Sequence, residues 1–376
     1  MKIPGYSYLE EIERAFNIKI QEEEKKKLKK VIEKHPMFIP EYYAKLIDWK
    51  NPDDPIKQII FPSVDELDLS GSYDTSGEKE NTVLTGLQHK YKETALLLVT
   101  NRCAGYCRHC FRKRLVGIPT DETVKLFDRA VKYIKEHPEI TNVLISGGDP
   151  LILPTDVIEY FLSELSKINH LKFIRIGSRI PVFYPMRITE DRKLLEILSK
   201  YSTPERRIYL VTHFNHPVEI TDEARRSIDS LIRHGVIVSN QAVLLKKVND
   251  NPDTIATLMK ELVSAGVVPY YLFQCRPVKR VKKHFQIPLK EGYQIVEKAK
   301  QKLDGHAKRF KYIMSHKTGK IEIVGIIGDE IYLKYHQAKQ PSKVGKLFKK
   351  KLTPEAGWLD DLKPINTKSE KFVEVN

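Results

Sequence analysis

Three of the four cysteines sit within a short stretch, Thr100-Asn-Arg-Cys103-Ala-Gly-Tyr-Cys107-Arg-His-Cys110, spaced C-x3-C-x2-C. Three thiolates this close on one loop can each bind a different iron of a single [4Fe-4S] cube. Three ligands for four irons leave one iron open, and an open metal position is where a substrate or cofactor can coordinate. Zinc is the rival metal. A structural zinc site takes four ligands, commonly paired C-x2-C knuckles, and His109, the nearby fourth donor, lies inside the tight loop. The blandest alternative is three structural cysteines in a core. Reduced, clustered thiols point to metal before disulfide.

The elements that must position this loop repeat along the chain. Ala95 to Thr100 is a short continuous apolar run, followed by similar runs at Asn142 to Ser146, Phe173 to Gly177, Ile208 to Thr212, Val236 to Asn240 and Pro269 to Gln274. Amphipathic stretches of helical length separate them, near 121–137, 154–167, 189–201, 222–234, 252–265 and 290–304. Apolar strands alternating with helices predict βαβ units and a parallel sheet. Periodicity alone fits a partial barrel or a doubly wound sheet. Polar residues gather where the strands end: the cysteines, Ser146 to Pro150, Ser178 and Arg179, His213 to His216, Asn240 and Gln241, and Cys275. In parallel α/β folds that end carries the ligands. Around this core, residues 1–80 read as a mainly helical cap, interrupted by prolines after His35, and 81–304 as the barrel. Residues 305–376 read as short strands and a lysine-rich tail, its last dozen residues mobile.

Composition narrows the function. The net charge of +15 suits nucleic acid, anionic small molecules or a solvated lysine-rich surface, and the mixing of lysine with glutamate, as in Glu22 to Lys30, favours the last. No apolar run is long enough to span a bilayer, and Met1 to Leu9 lacks a signal peptide's apolar core. The expectation is a cytoplasmic protein without a membrane partner, nucleic acid being a weaker alternative.

With these residues in view, a resemblance becomes specific. C-x3-C-x2-C just after a first strand resembles the signature of radical S-adenosylmethionine (SAM) enzymes. Cys107-Arg-His-Cys-Phe-Arg-Lys-Arg114, Leu144-Ile-Ser-Gly-Gly-Asp-Pro-Leu151, Arg175-Ile-Gly-Ser-Arg179, His213-Phe-Asn-His-Pro217, Asn240-Gln-Ala-Val-Leu-Leu245 and Pro269-Tyr-Tyr-Leu-Phe-Gln-Cys275 are similar to the lysine 2,3-aminomutase family, over roughly residues 36–300. The resemblance implies a partial (β/α)6 barrel and a [4Fe-4S] cluster on Cys103, Cys107 and Cys110. It implies SAM on the open iron, cleaved by one electron to a radical that abstracts hydrogen from an amino-acid-type substrate. A reductant such as flavodoxin or ferredoxin follows, and homo-oligomerisation is left open. By the same resemblance Gly147, Gly148 and Asp149 approach the SAM amino group. Arg175, Ser178, Arg179 and Gln241 contact its carboxylate or ribose, and His109 lies near adenine and cluster. Arg112 matches an arginine that pairs with the substrate carboxylate, a role for which a two-pronged donor is suited. Lys90 falls where the family has an arginine near the phosphate of pyridoxal phosphate (PLP).

The sequence also departs from the family. The aminomutases carry their PLP lysine in a glycine-rich segment near the C-terminus; here the comparable stretch is Ser315-His-Lys-Thr-Gly-Lys320, with a single glycine. Lys320 is the best PLP lysine, with Lys317 behind it; the alternative is that Thr318-Gly319 is a hairpin turn and Lys320 merely opens a strand. The aspartate that holds a lysine substrate's distal ammonium is replaced by Arg276, which would repel that ammonium and attract a carboxylate. The expectation is an aminomutase-like isomerase whose substrate is not lysine. The alternatives are a PLP-free radical SAM enzyme on another small molecule, peptide or RNA, and a cluster-bearing electron carrier.

Overall fold

A computed structural model describes residues 2–365; most of the expected mobile tail lies outside the described residues. A small sheet pairs β1 (Gly5–Tyr6) with β2 (Ile39–Pro40). All other strands form one twelve-stranded sheet in chain order. β3 (Thr82–Leu84) and β4 (Leu87–Tyr91) run antiparallel at one edge. The parallel run follows: β5 (Thr94–Thr100), β6 (Asn142–Gly147), β7 (Phe173–Gly177), β8 (Arg207–Thr212), β9 (Ile237–Leu244), β10 (Val268–Gln274) and β11 (Lys311–His316). Antiparallel β12 (Gly319–Ile327), β13 (Glu330–Ala338) and β14 (Leu347–Lys351) close the series. β3 and β14 are not paired with each other. Yet Lys90 of β4 and Gln337 of β13 line one cavity, so the sheet curls around it as an open α/β barrel.

This is the expected partial barrel, with one difference. Parallel pairing continues one strand beyond the six expected. The helix Leu289–Lys300 lies between β10 and β11, which makes the start of the C-terminal segment a further crossover unit. The helices cover the outside because their apolar residues recur at helical spacing. Phe127, Ala130, Val131 and Ile134 are the buried side of Phe127–Glu136, and Asp191, Thr221 and Asn251 cap three others by accepting backbone N–H bonds. Helices Leu9–Phe16, Glu22–Lys34 and Pro55–Ile60 of the N-terminal segment pack into the same hydrophobic core as the barrel and the C-terminal strands. Among the described residues no helix is long and apolar enough to cross a membrane.

Candidate functional site

The strand ends converge on a cavity of about 340 Å³. All but one of the residues singled out in the sequence line it: the three cysteines, His109, Arg112, Gly147, Gly148, Asp149, Arg175, Ser178, Arg179, Gln241, Lys90, Arg276 and Lys320. Lys317 is exposed and is not among the lining residues.

At one end is the cysteine loop. Cys103, Cys107 and Cys110 are free thiols. Burial raises all three above the ordinary thiol range, and the neighbouring cysteines add to the effect on Cys103 and Cys110, the latter reaching about 11. Positive charge on bound iron would reverse that cost by favouring thiolate. Among the described residues no three His, Cys, Asp or Glu side chains converge on one metal-ion position. Three thiols lining one cavity supply the donor set of a three-cysteine iron–sulfur cluster, whereas a structural zinc site takes four ligands.

The loop is held from several sides. Arg179 Nη1 donates to Cys107 Sγ at 2.8 Å and Nη2 to Glu219 Oε1 at 2.7 Å. Glu219 is completely buried and also accepts from the Tyr43 hydroxyl of the N-terminal segment at 2.6 Å. Arg179 is thus tied to the cysteine loop by two of its nitrogens, while its buried Nε has no partner. The glycines serve the same loop. A Cβ on Gly148 would stand 2.2 Å from the Arg102 carbonyl oxygen, and one on Gly147, at φ +110°, 2.4 Å from that of Thr100. Gly148 and Asp149 donate their N–H groups to those same carbonyls at 2.6 and 2.7 Å. The missing side chains therefore admit the backbone of the cysteine loop, at residues that also line the cavity. Asp149 accepts from the N–H groups of Arg179 at 2.7 Å and Leu151 at 3.0 Å; burial still lifts its carboxyl to about 6, against the lowering by these bonds. Ser178 Oγ accepts from Ile180 N–H at 3.0 Å. His109 stacks edge-on against His213 with centroids 5.4 Å apart, and its buried Nδ1 has no partner. Gln241 lies within β9, not at its end.

The other end is cationic. Arg112 donates from Nε to Glu78 at 2.9 Å and from Nη1 to Ser146 at 3.3 Å, and Arg114 reaches the same carboxylate at 2.7 Å. Burial alone would raise the Glu78 pKa, but the two guanidiniums hold it down to about 2. Arg276 lies with its guanidinium 4.2 Å from the Phe111 ring centroid and donates from Nη2 to Ser315 at 2.8 Å; its buried Nη1 has no partner. Arg175 donates from Nη2 to Asn142 at 2.6 Å and leaves Nε unpartnered.

Lys320 does open a strand, β12, as the bland alternative had it, and its side chain also enters the cavity. Nζ donates to Gln337 Oε1 at 2.7 Å and stands 5.4 and 5.2 Å from the ring centroids of Tyr91 and Tyr271. Burial, then the charges of Arg175, Lys90 and Arg276, lower its pKa to about 7. Lys90 donates to the carbonyls of Ser76 and His316 at 3.0 and 2.7 Å and is lowered to about 7 by burial, then Arg276. A buried amine near neutrality, with unsatisfied cationic donors beside it, fits a carbonyl cofactor bearing a phosphate. Sequence reasoning missed Glu78, Ser315, Gln337, Tyr91 and Tyr271; for Gln337, the alternation of β13 is a signal that was available.

A family model described as the radical SAM superfamily matches residues 97–259. A protein of Aquifex aeolicus (strain VF5) named "Putative L-lysine 2,3-aminomutase" is 44% identical over 351 residues, covering 93% of this chain and 94% of that one. An L-lysine 2,3-aminomutase of Methanococcus maripaludis is 41% identical over 303 residues, 80% of this chain and 67% of that one. A glutamate 2,3-aminomutase of Clostridioides difficile (strain 630) is 37% identical over 282 residues, 74% of this chain and 65% of that one. Among solved structures, a radical SAM methyltransferase from Sphaerobacter thermophilus aligns with a TM-score of 0.39 and 14% identity, over 60% of this chain and 68% of that one.

Proposed function

Since this chain belongs to the lysine 2,3-aminomutase family of radical SAM enzymes, we propose that it shifts an amino group between adjacent carbons of an amino acid whose side chain is anionic, with glutamate the first substrate to test. When bound, the cluster and SAM supply a hydrogen-abstracting radical, and PLP a carbonyl for the migrating nitrogen. Cys103, Cys107 and Cys110 would hold the cluster. Lys320 would hold PLP: near pKa 7 its amine is substantially neutral, hence nucleophilic, at physiological pH. Lys90 would face the phosphate. Arg112, already fixed by Glu78, would meet the substrate's α-carboxylate with its remaining N–H groups, and Arg276 the side-chain carboxylate.

The observation that carries this reading is the unpartnered Nη1 of Arg276 in a wall shared with Lys90, Lys320 and Arg175. A buried cationic donor without a partner is costly, and an anion removes the cost, whereas a substrate ammonium there would be repelled. The relatives include both a glutamate 2,3-aminomutase at 37% identity and lysine 2,3-aminomutases at up to 41%, so the choice of substrate rests on Arg276. The anaerobically reconstituted enzyme, given SAM, PLP and dithionite, is expected to convert glutamate to its 3-amino isomer, detected by mass spectrometry, and to leave lysine unchanged. Turnover of lysine in preference to glutamate would contradict it.

A further inference from the structure

Beneath the cysteine loop, away from SAM and substrate, lies a sealed group of charges. Glu66, from the N-terminal segment, is completely buried. Its carboxylate accepts from Arg108 Nε at 2.8 Å and Nη2 at 2.6 Å, and pairs with Lys113 Nζ at 2.6 Å. Both cations belong to the cluster loop: Arg108 follows Cys107 directly, and Lys113 comes three residues after Cys110. Arg108 also donates to the carbonyls of Pro36 and His35 at 2.9 and 3.2 Å, and Lys113 to that of Arg108 at 2.8 Å. The Ser63 N–H donates to Glu66 at 3.0 Å. None of the three lines the cavity, so their cost of burial is not spent on a ligand.

The group is unbalanced. Two cations face one carboxylate, leaving one net positive charge in a solvent-excluded place at pH values below about 8, to which burial lowers the Lys113 ammonium. That charge sits on the cluster loop itself: Arg108 adjoins Cys107, and Lys113 donates to the Arg108 carbonyl at 2.8 Å. A cluster that takes up one electron becomes more negative by one unit. Fixed positive charge nearby stabilises the reduced form, and charges and hydrogen bonds around the ligands set such potentials.

We propose that Glu66, Arg108 and Lys113 form a charge-setting lock that positions the Cys107–Cys110 turn and, through its single excess positive charge, raises the reduction potential of the cluster. Glu66 and Lys113 are positioning residues in this account, touching neither SAM nor substrate. The inference rests on the cluster being held by the three cysteines, and iron and sulfide content measures that separately.

The test is a redox titration, followed by electron paramagnetic resonance, of the reconstituted full-length enzyme without substrate. Lys113→Met removes one positive charge and should shift the midpoint to more negative potential. Lys113→Met with Glu66→Gln restores the excess positive charge on Arg108 and should bring the midpoint back toward wild type. A purely mechanical role predicts the opposite order, because the double variant has lost more bonds. Should the single variant fail to load iron, restored loading with a near-wild-type midpoint in the double variant upholds the proposal. An unshifted or positively shifted single variant, a double variant further from wild type than the single, or absence of cluster in both overturns it.

Discussion

The two ends of the cavity differ in how completely they satisfy themselves. Around the cysteine loop each cation has an acid partner within the protein, Arg179 in Glu219 and both Arg108 and Lys113 in Glu66, although Arg179 Nε is left without a partner. At the Lys320 end, Lys320, Lys90, Arg175 and Arg276 share one wall, and Arg276 Nη1 and Arg175 Nε find no partner. The first end is preorganised around a fixed prosthetic group. At the second, Lys320, Lys90, Arg175 and Arg276 bond to neutral groups rather than to carboxylates, so an incoming anion is what neutralises their charge. The contrast locates stability at one end and binding at the other.

The sharpest way to break the comparison is to remove one charge from each end. Glu66→Ala leaves two buried cations unpaired and should cost about 3–5 kcal/mol, read as a fall in the denaturation midpoint. Arg276→Met removes a cation with an open donor and should leave the apoprotein as stable or more so. Equal losses at both sites would erase the distinction. A smaller effect belongs to the glycines. Gly148→Ala drives a Cβ to 2.2 Å from the Arg102 oxygen, overpacking that should cost about 1–3 kcal/mol and lower iron retention, since the loop must shift.

The smallest effect is in pH. The folded pKa of Lys320, about 7, lies below its ordinary 10.5, so between these values the unfolded chain binds more protons than the native one. Stability of the apoprotein should therefore rise with pH across that window, the penalty being complete below about 7. Lys90 acts in the same sense. Lys320→Met should flatten the rise, checked by thermal melts from pH 6.5 to 10 (a range chosen to bracket both values). A slope unchanged by the substitution would mean that Lys320 is solvated and of ordinary basicity.

Much of this was legible in the sequence, for identifiable reasons. The cysteine spacing is local, and strands such as Thr94–Thr100, with no exposed residue on either face, read as continuous apolar runs. The cavity cations sit at or just beyond strand ends that the βα rhythm marks. What stayed hidden depends on pairing between distant segments. Glu66 meets Arg108 across 42 residues and Glu78 meets Arg112 across 34, and nothing local distinguishes either acid from the many solvated glutamates. The approach of the Thr100 and Arg102 carbonyls to Gly147 and Gly148 was not legible, because a glycine announces a close approach without saying what approaches. β11 was read as an appended strand, although the helix before it is the crossover that makes it parallel.

The central claim is that the cationic end holds PLP through Lys320 in the service of an amino shift. The most direct measurement is the absorbance spectrum of the anaerobically reconstituted enzyme titrated with PLP, in wild type and Lys320→Ala, with iron content matched. The account predicts a band from PLP bound to a lysine that appears in wild type and is absent from Lys320→Ala, while the iron–sulfur absorbance and SAM cleavage persist in both. Cluster and SAM cleavage with no PLP band in the wild-type protein, or a band that survives loss of Lys320, would contradict it.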